Sequence, residues 1–480
     1  MRFATTSFPT ASHSLSRLIT MTAAATLPGD LRVKEHCLKV PLDHNKPDGT
    51  ELSLFVRELM TASKANEDLP WLLYLQGGPG FPSGRPTCPP SGWIKPALAK
   101  YRVLLLDQRG TGRSSPVTTK LLQALPGGPE AQAELLSHFR ADSIVRDAEI
   151  VRHQLAGGQK ITLLGQSFGG FCILTYLSLF PEAISRSLCT FGLAPIGRTA
   201  EEVYAATFRR MEERNRRFYR RYPQDVEVVR SIVAALHSAP VALPRGGTLT
   251  ARRFLQLGLL LGSASGFETL HGLLELACAP NGDVLASSLP DIFLLEVENA
   301  QQQFETNPIY WLLHEAIYVD GATSAAGDTL KDSRLGAPSC WAAERMQALL
   351  GATWDYTTRL AVSSPPVQLT GEMVFSWMGD DYAWLRPLKP VANLLASKAD
   401  WGPLYNVAAL GRGQSPVAAL VSYEDVYVER SFSEETASLL GERAQLWITN
   451  EFQHSGLRDE PAVVFERLLA MSKGELAIPS

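Results

Sequence analysis

Three short apolar runs, WLLYL at residues 71–75, YRVLLLD at 101–107 and KITLLGQ at 160–166, each break off into a glycine-bearing loop. A strand that is apolar at nearly every position buries both of its faces. Such runs are therefore expected as strands of a mostly parallel sheet covered on two sides. Between the second and third, ADSIVRDAEIVRHQLAG has helical spacing and ends at a glycine, which gives the strand–helix–strand punctuation of an α/β fold. ELSLFVREL from Glu51 alternates as an early antiparallel strand, and AISRSLCTFG at 183–192 supplies a further one. The fold class is α/β, a mostly parallel sheet with helices packed on it.

After LAPIG the texture changes to a long charged helical pattern, EEVYAATFRRMEERNRRFYRRYPQDVEVVRSIVAALHSAP, and strand signals nearly vanish until about residue 365. The sheet rhythm returns in SPVAALVSYED at 415–425 and RAQLWITNEFQH at 443–454, separated by FSEETASLLGE, where Ser433 and Glu435 suit a helix start. An insertion of roughly two hundred residues is too long for a plain loop. The expected organisation is a core of residues 30–194 and 401–480, interrupted by a large, mainly helical cap at 195–400.

The first acidic residue is Asp30, and the Ser-, Thr- and Ala-rich stretch before it carries Arg2 and Arg17. Residues 1–29 are read as a disordered or targeting extension outside the fold, the alternatives being an organelle transit peptide, a loose tail, or an extension ahead of a second start at Met21. The expected location is cytoplasmic, or mitochondrial or plastid if that stretch acts as a transit peptide. Lys+Arg 45 against Asp+Glu 49 gives no basic excess for nucleic acid or an anionic membrane. The best apolar stretch, FLQLGLLLGSASGF, is broken by Gln256 and glycines, so no membrane span is expected. Six cysteines without CxxC or zinc-type spacing read as packing residues of a reduced compartment.

Gly165-Gln166-Ser167-Phe168-Gly169 fits G-x-S-x-G at a strand-to-helix turn, the arrangement that exposes a serine Oγ at the sheet's carboxyl edge. A helix-capping serine satisfies the same five residues, so the partners decide. A nucleophilic serine needs a base, and the base an orienting carboxylate, here in the chain order serine, acid, histidine. His454 follows the last expected strand and is the candidate base. VAALVSYEDVYV offers Glu424 and Asp425 at the end of the strand before it, an ambiguity that periodicity leaves open. LQGGPGFPSG follows the first apolar run, and backbone N–H groups around Gly77 and Gly78, with that of Phe168, are the expected oxyanion hole.

GGPG at 77–80, DQRGTGRS at 107–114 and GQSFGG at 165–170, together with HCLKVPLDH, GLAPIG, RNRRFYRRYP, LLHEAIY, TGEM and QHSGLR, resemble the proline iminopeptidase (prolyl aminopeptidase) family of α/β hydrolases. The resemblance spans roughly residues 30–475. It implies a serine exopeptidase that removes N-terminal proline from peptides, with Ser167 as nucleophile, His454 as base and Asp425 as the acid. The family often has His where this chain has Gln76, a difference expected to affect loop packing more than chemistry. Cap glutamates bind the substrate terminus in the family. Glu315 in LLHEAIY and Glu372 in TGEMVFSW, both in aromatic settings, are the candidates here, and each equally suits a helix cap or an arginine pair. No metal or organic cofactor is implied, and the expected partners are peptides, with neither nucleic acid nor membrane. A carboxylesterase or broader aminopeptidase with the same triad, or a catalytically silent binding protein on this fold, are the rival readings.

Overall fold

The apolar runs become neighbouring strands of one nine-stranded sheet in the computed structural model, which describes residues 20–321 and 336–476. The strands are β1 (Thr20–Leu27), β2 (Leu31–Pro41), β3 (Glu51–Thr61), β4 (Trp71–Leu75), β5 (Arg102–Asp107), β6 (Ile161–Gln166), β7 (Ile184–Thr190), β8 (Val417–Ser422) and β9 (Ala444–Thr449). Their spatial order is β1-β2-β3-β5-β4-β6-β7-β8-β9. The first three strands and β5 pair antiparallel, and from β5 to β9 every pairing is parallel.

Continuous apolarity follows from burial on both faces. In β4, Trp71, Leu73 and Leu75 enter one core, while Leu72 and Tyr74 enter the other. In β5, Leu104 and Leu106 go to the first and Val103 and Leu105 to the second. Successive side chains of a strand point to opposite faces, so a strand between two layers presents nearly every position to a core. Helices α1 (Ala141–Leu155) and α2 (Phe168–Leu179) cover the first face, and the Pro461–Ser472 helix contributes Val464, Phe465, Leu468 and Leu469 to the second.

The insertion leaves the sheet after β7 and returns at β8. Among the described residues its regular structure is helical apart from short pairings, Val241–Ala242 with Thr248–Leu249 and an isolated Cys278–Val284 bridge, with irregular stretches between the helices. Its first helix, α3 (Ala200–Arg221), starts at a reciprocal cap: Thr199 accepts the Glu202 N–H at 3.3 Å and Glu202 accepts the Thr199 N–H at 2.8 Å. A shorter helix, α4 (Ala342–Leu349), packs against α3. The same core that fills the first face of the sheet runs on into the cap, so the two parts share one hydrophobic interior.

Two local expectations change. Residues 20–27, placed outside the fold by composition, pair antiparallel with β2 as the sheet's edge strand, with all eight side chains exposed, while residues 1–19 lie outside the described residues. Backbone pairing alone holds this strand, and a strand with no buried face leaves no hydrophobic alternation to read. The helix in FSEETASLLGE spans Arg430–Leu440 and is capped upstream of Ser433, by Glu429, whose carboxylate accepts the Ser431 N–H at 3.2 Å and pairs with Arg210 of α3 at 2.6 Å.

Candidate active site

Ser167 stands between the last residue of β6 and the first of α2 with φ 55° and ψ −124°. That conformation costs a non-glycine residue on the order of 1–3 kcal/mol, and the packing around it has to hold it there. Gly165 and Gly169 make the approach possible. A Cβ on Gly165 would lie 2.5 Å from the Gly169 carbonyl oxygen, and one on Gly169 would lie 2.0 Å from that of Leu75. The turn is pinned by Ser167 N–H to Thr190 O at 2.9 Å and Gly170 N–H to Ser167 O at 2.7 Å. Phe168 opens the helix, so its N–H has no acceptor within α2.

Asp425 and His454 meet at the same sheet edge. Asp425 is 1% exposed, and its Oδ1 accepts the N–H groups of Tyr427 at 2.8 Å and Val428 at 3.0 Å. Its Oδ2 accepts from His454 Nδ1 at 2.9 Å. A carboxylate holding Nδ1–H fixes the tautomer in which Nε2 carries a lone pair. That Nε2 is buried and has no hydrogen-bond partner among the described residues. The ring lies between Phe191 and Tyr427, at centroid distances of 5.5 and 4.9 Å. Of the two adjacent acids, Glu424 turns away and pairs with Arg217 of α3. The geometry thus separates two residues that spacing alone left equivalent.

A cavity of about 310 Å³ opens over these groups. Gln76, Gly77, Gly78, Ser167 and His454 form its floor, and Leu257, Phe304, Tyr310 and Glu372 of the cap help to form its walls. Gln76 accepts from the Tyr74 hydroxyl at 2.7 Å and, through its carbonyl, from Gln108 Nε2 at 3.0 Å, a packing arrangement for the glycine loop. Gln166 ties the serine turn to the histidine loop: its Nε2 donates to His454 O at 3.2 Å and its Oε1 accepts from Thr190 at 2.7 Å.

The cap also grips the histidine loop directly. His454 N–H donates to Gly262 O at 3.0 Å and the Ala264 N–H donates to Ser455 Oγ at 3.1 Å, while on the neighbouring Asp425 loop the Tyr427 hydroxyl donates to Leu259 O. The tract FLQLGLLLG, which sequence reading weighed only as a membrane span, lies along the cavity wall as a short helix and a 3-10 turn. Glycines inside an apolar tract of a helical insertion were the signal, since they permit close backbone approach.

The two cap glutamates part company. Glu372 lines the cavity and accepts from the Tyr310 hydroxyl at 2.8 Å. Burial pushes its pKa up to about 7, against the opposing pull of the His454 charge and the Tyr310 hydrogen bond, with Asp425 adding to the rise. Glu315 is not among the residues that line the cavity. It is 5% exposed, and its Oε1 accepts the Ala343 N–H at 3.2 Å in the first turn of α4, where a helix favours negative charge.

Burial raises the Glu315 pKa to about 7 from an ordinary 4.5. A carboxyl with a raised folded-state pKa holds its proton longer folded than unfolded, so stability falls as pH rises from 4.5 to 7. Glu315→Gln keeps the oxygen acceptor and removes the charge. It is expected to stabilise the protein by about 3 kcal/mol at pH 8 and to change it little at pH 4. Urea unfolding at the two pH values measures this, and an equal change at both would contradict it.

Comparison with known proteins agrees with this architecture. The family model described as alpha/beta hydrolase fold matches residues 70–230. The chain is 45% identical over 444 residues to a proline iminopeptidase of Aeromonas sobria, which covers 92% of this chain and 97% of that protein. It is 36% identical over 456 residues to a proline iminopeptidase of Aspergillus aculeatus, with 94% and 95% covered. A tripeptidyl aminopeptidase of Streptomyces coelicolor is 28% identical over 179 residues, 31% of this chain and 32% of that protein. With nearly half of its residues shared along almost the whole length of the Aeromonas enzyme, on an α/β-hydrolase sheet, the chain belongs to the proline iminopeptidase family.

Proposed function

We propose that this protein is a serine exopeptidase that releases N-terminal proline from peptides through an acyl-enzyme on Ser167. The observation that carries the reading is one cavity that holds Ser167, His454 Nε2 and, as its only lining carboxylate among the described residues, Glu372. A proline terminus is a secondary ammonium on an apolar ring. Ionised Glu372 binds that cation, and the wall of Leu257, Phe304 and Tyr310 takes the ring. A charged amine exists only where no residue precedes the proline, so recognition of that cation by Glu372 selects the chain terminus and makes the reading one of an exopeptidase.

With the terminus so placed, Ser167 Oγ attacks the carbonyl of the proline residue while His454 Nε2 takes its proton. Asp425 stabilises the resulting imidazolium through Nδ1–H. The oxyanion is met by N–H groups of Phe168 and of the Gly77–Gly78 loop, and the positive end of α2 adds to that field. His454 then gives the proton to the leaving amine. Water, deprotonated by the same imidazole, attacks the ester and frees proline and Ser167.

Turnover of a chromogenic prolyl amide, an alanyl amide and a short-chain ester, each with the intact protein and Ser167→Ala, tests this. Prolyl turnover well above alanyl turnover, abolished by the substitution, is the expected result. Ester hydrolysis without prolyl hydrolysis would overturn it. Among the described residues no helix is long and apolar enough to cross a membrane.

A further inference from the structure

Among the described residues the Glu372 side chain is held by a single hydrogen bond, the one it accepts from the Tyr310 hydroxyl at 2.8 Å. Its backbone is fastened on both sides. Upstream, the Thr370 N–H donates to Leu255 O at 2.9 Å, and downstream, Phe375 O accepts from Trp311 Nε1 at 2.9 Å. The stretch between is neither helix nor strand, and a glutamate is a long side chain with much rotational freedom. A carboxylate that must meet a cation at one place works best when its direction is set before the substrate arrives. The Tyr310 hydroxyl is the group in position to set it.

Tyr310 is itself fixed to the floor of the cavity. It sits on the short helix Pro308–Leu313, every residue of which is buried. Two glycine loops at the sheet edge close on that helix. A Cβ on Gly80, in the loop that carries Gly77 and Gly78, would lie 3.0 Å from Ile309 Cβ and 3.0 Å from the Tyr310 backbone nitrogen. One on Gly110 would lie 2.5 Å from Ile309 Cδ1. The Tyr310 ring meets three others: Phe81 of the same glycine loop, edge-on at 5.7 Å between centroids, Phe304 at 5.5 Å and His314 at 4.8 Å. A ring packed against three neighbours turns little, so its hydroxyl is a fixed point relative to the oxyanion loop. The helix therefore reaches from the loop that receives the oxyanion to the carboxylate that receives the amine, the two ends of an aminoacyl group.

We propose that Tyr310 is a positioning residue: its hydroxyl aims the Glu372 carboxylate at the terminal amine of the substrate, at a distance from the oxyanion loop that the Pro308–Leu313 helix sets. This rests on the aminopeptidase reading above, and it gives the hydroxyl a task apart from the ring's place in the apolar wall. A hydroxyl that donates to a carboxylate also favours its ionised form, so the same contact supports the charge that the amine needs. The remaining ionisable groups around Glu372 are His454, Asp425, the hydroxyls of Tyr204, Tyr318 and Tyr427, and Arg458 of the cavity lining, and deleting the Tyr310 hydroxyl leaves all of them in place.

The test is Tyr310→Phe, which keeps the ring, assayed on a prolyl amide and a short-chain neutral ester with Glu372 present and again in the Glu372→Gln background. With Glu372 present, the substitution is expected to lower kcat/KM for the prolyl amide about tenfold at pH 7, to move the acid limb of its pH profile up by about one pH unit, and to leave ester turnover within about twofold. In the Glu372→Gln background it is expected to change prolyl turnover by less than about twofold, because no charge is left for the hydroxyl to aim. Equal losses in the two backgrounds, a matching loss on the ester, an acid limb that stays in place, or undiminished prolyl turnover would each overturn the proposal while leaving the aminopeptidase reading standing. If the intact protein does not turn over the prolyl amide, the aminopeptidase reading itself fails, and this inference with it.

Discussion

Ser167→Ala is expected to lower kcat on a prolyl amide by about 10⁴- to 10⁶-fold, with KM within a few-fold of the intact protein. The methyl group keeps the turn and the cavity lining but has no oxygen to attack with. What remains is the oxyanion donors and the bound substrate's orientation, which together retain modest catalysis. Asp425→Asn is expected to cost about 10⁴-fold for a different reason. An amide placed where Oδ2 accepts from Nδ1 at 2.9 Å presents the imidazole with a donor or an uncharged acceptor, so the tautomer and the imidazolium both lose support. Glu424→Gln is the control: Glu424 pairs with Arg217 on α3, and its loss is expected to change kcat by less than about threefold, because a part-exposed ion pair contributes little. Steady-state kinetics of the three variants on one prolyl amide distinguishes the assignments. Comparable losses in Glu424→Gln and Asp425→Asn would mean that the acid had been misplaced.

What the sequence made legible follows from how each feature is encoded. Strands β4, β5 and β6 are buried on both faces, and two-sided burial leaves short continuous apolar runs, which the glycine-bearing loops that close them mark as strands. The serine turn was legible because Gly165 and Gly169 are forced by contacts of 2.5 and 2.0 Å, and such contacts leave a glycine as their mark. Asp425 and Glu424 were not separable by spacing, since the loop after β8 has no period, and only the family resemblance chose between them. Only the backbone donors of Tyr427 and Val428 decide which carboxylate turns inward. The cap was the least legible. Glu315 and Glu372 share an aromatic neighbourhood in sequence, yet one reaches a helix end and the other the cavity, a difference set by how helices of the insertion pack rather than by anything local.

Glu372→Gln is expected to lower kcat/KM for prolyl amides by about 30- to 1,000-fold, equivalent to about 2–4 kcal/mol for losing one partner of a buried charge pair. A short-chain neutral ester has no ammonium to place, so its turnover is expected to change by no more than a few-fold. Gln retains an oxygen for the Tyr310 hydroxyl, which keeps the wall in place and confines the change to charge. The pH profile carries the same argument. With its pKa near 7, Glu372 is protonated in the free enzyme below that pH and cannot hold a cation, so kcat/KM for the prolyl substrate falls as pH drops through about 7. The neutral ester has no ammonium for Glu372 to hold, and its pH profile gives the comparison. Stability must move the other way. Because the folded-state pKa lies above the ordinary 4.5, ionising Glu372 costs folding free energy as pH rises from 4.5 to 7. Glu372→Gln should therefore be more stable at pH 8, by on the order of 1–3 kcal/mol once solvent in the cavity is allowed for. A variant that gains stability while losing prolyl turnover would mark Glu372 as a charge kept in the interior for the substrate. Equal losses on the prolyl amide and the ester, with no gain in stability, would instead assign it to packing.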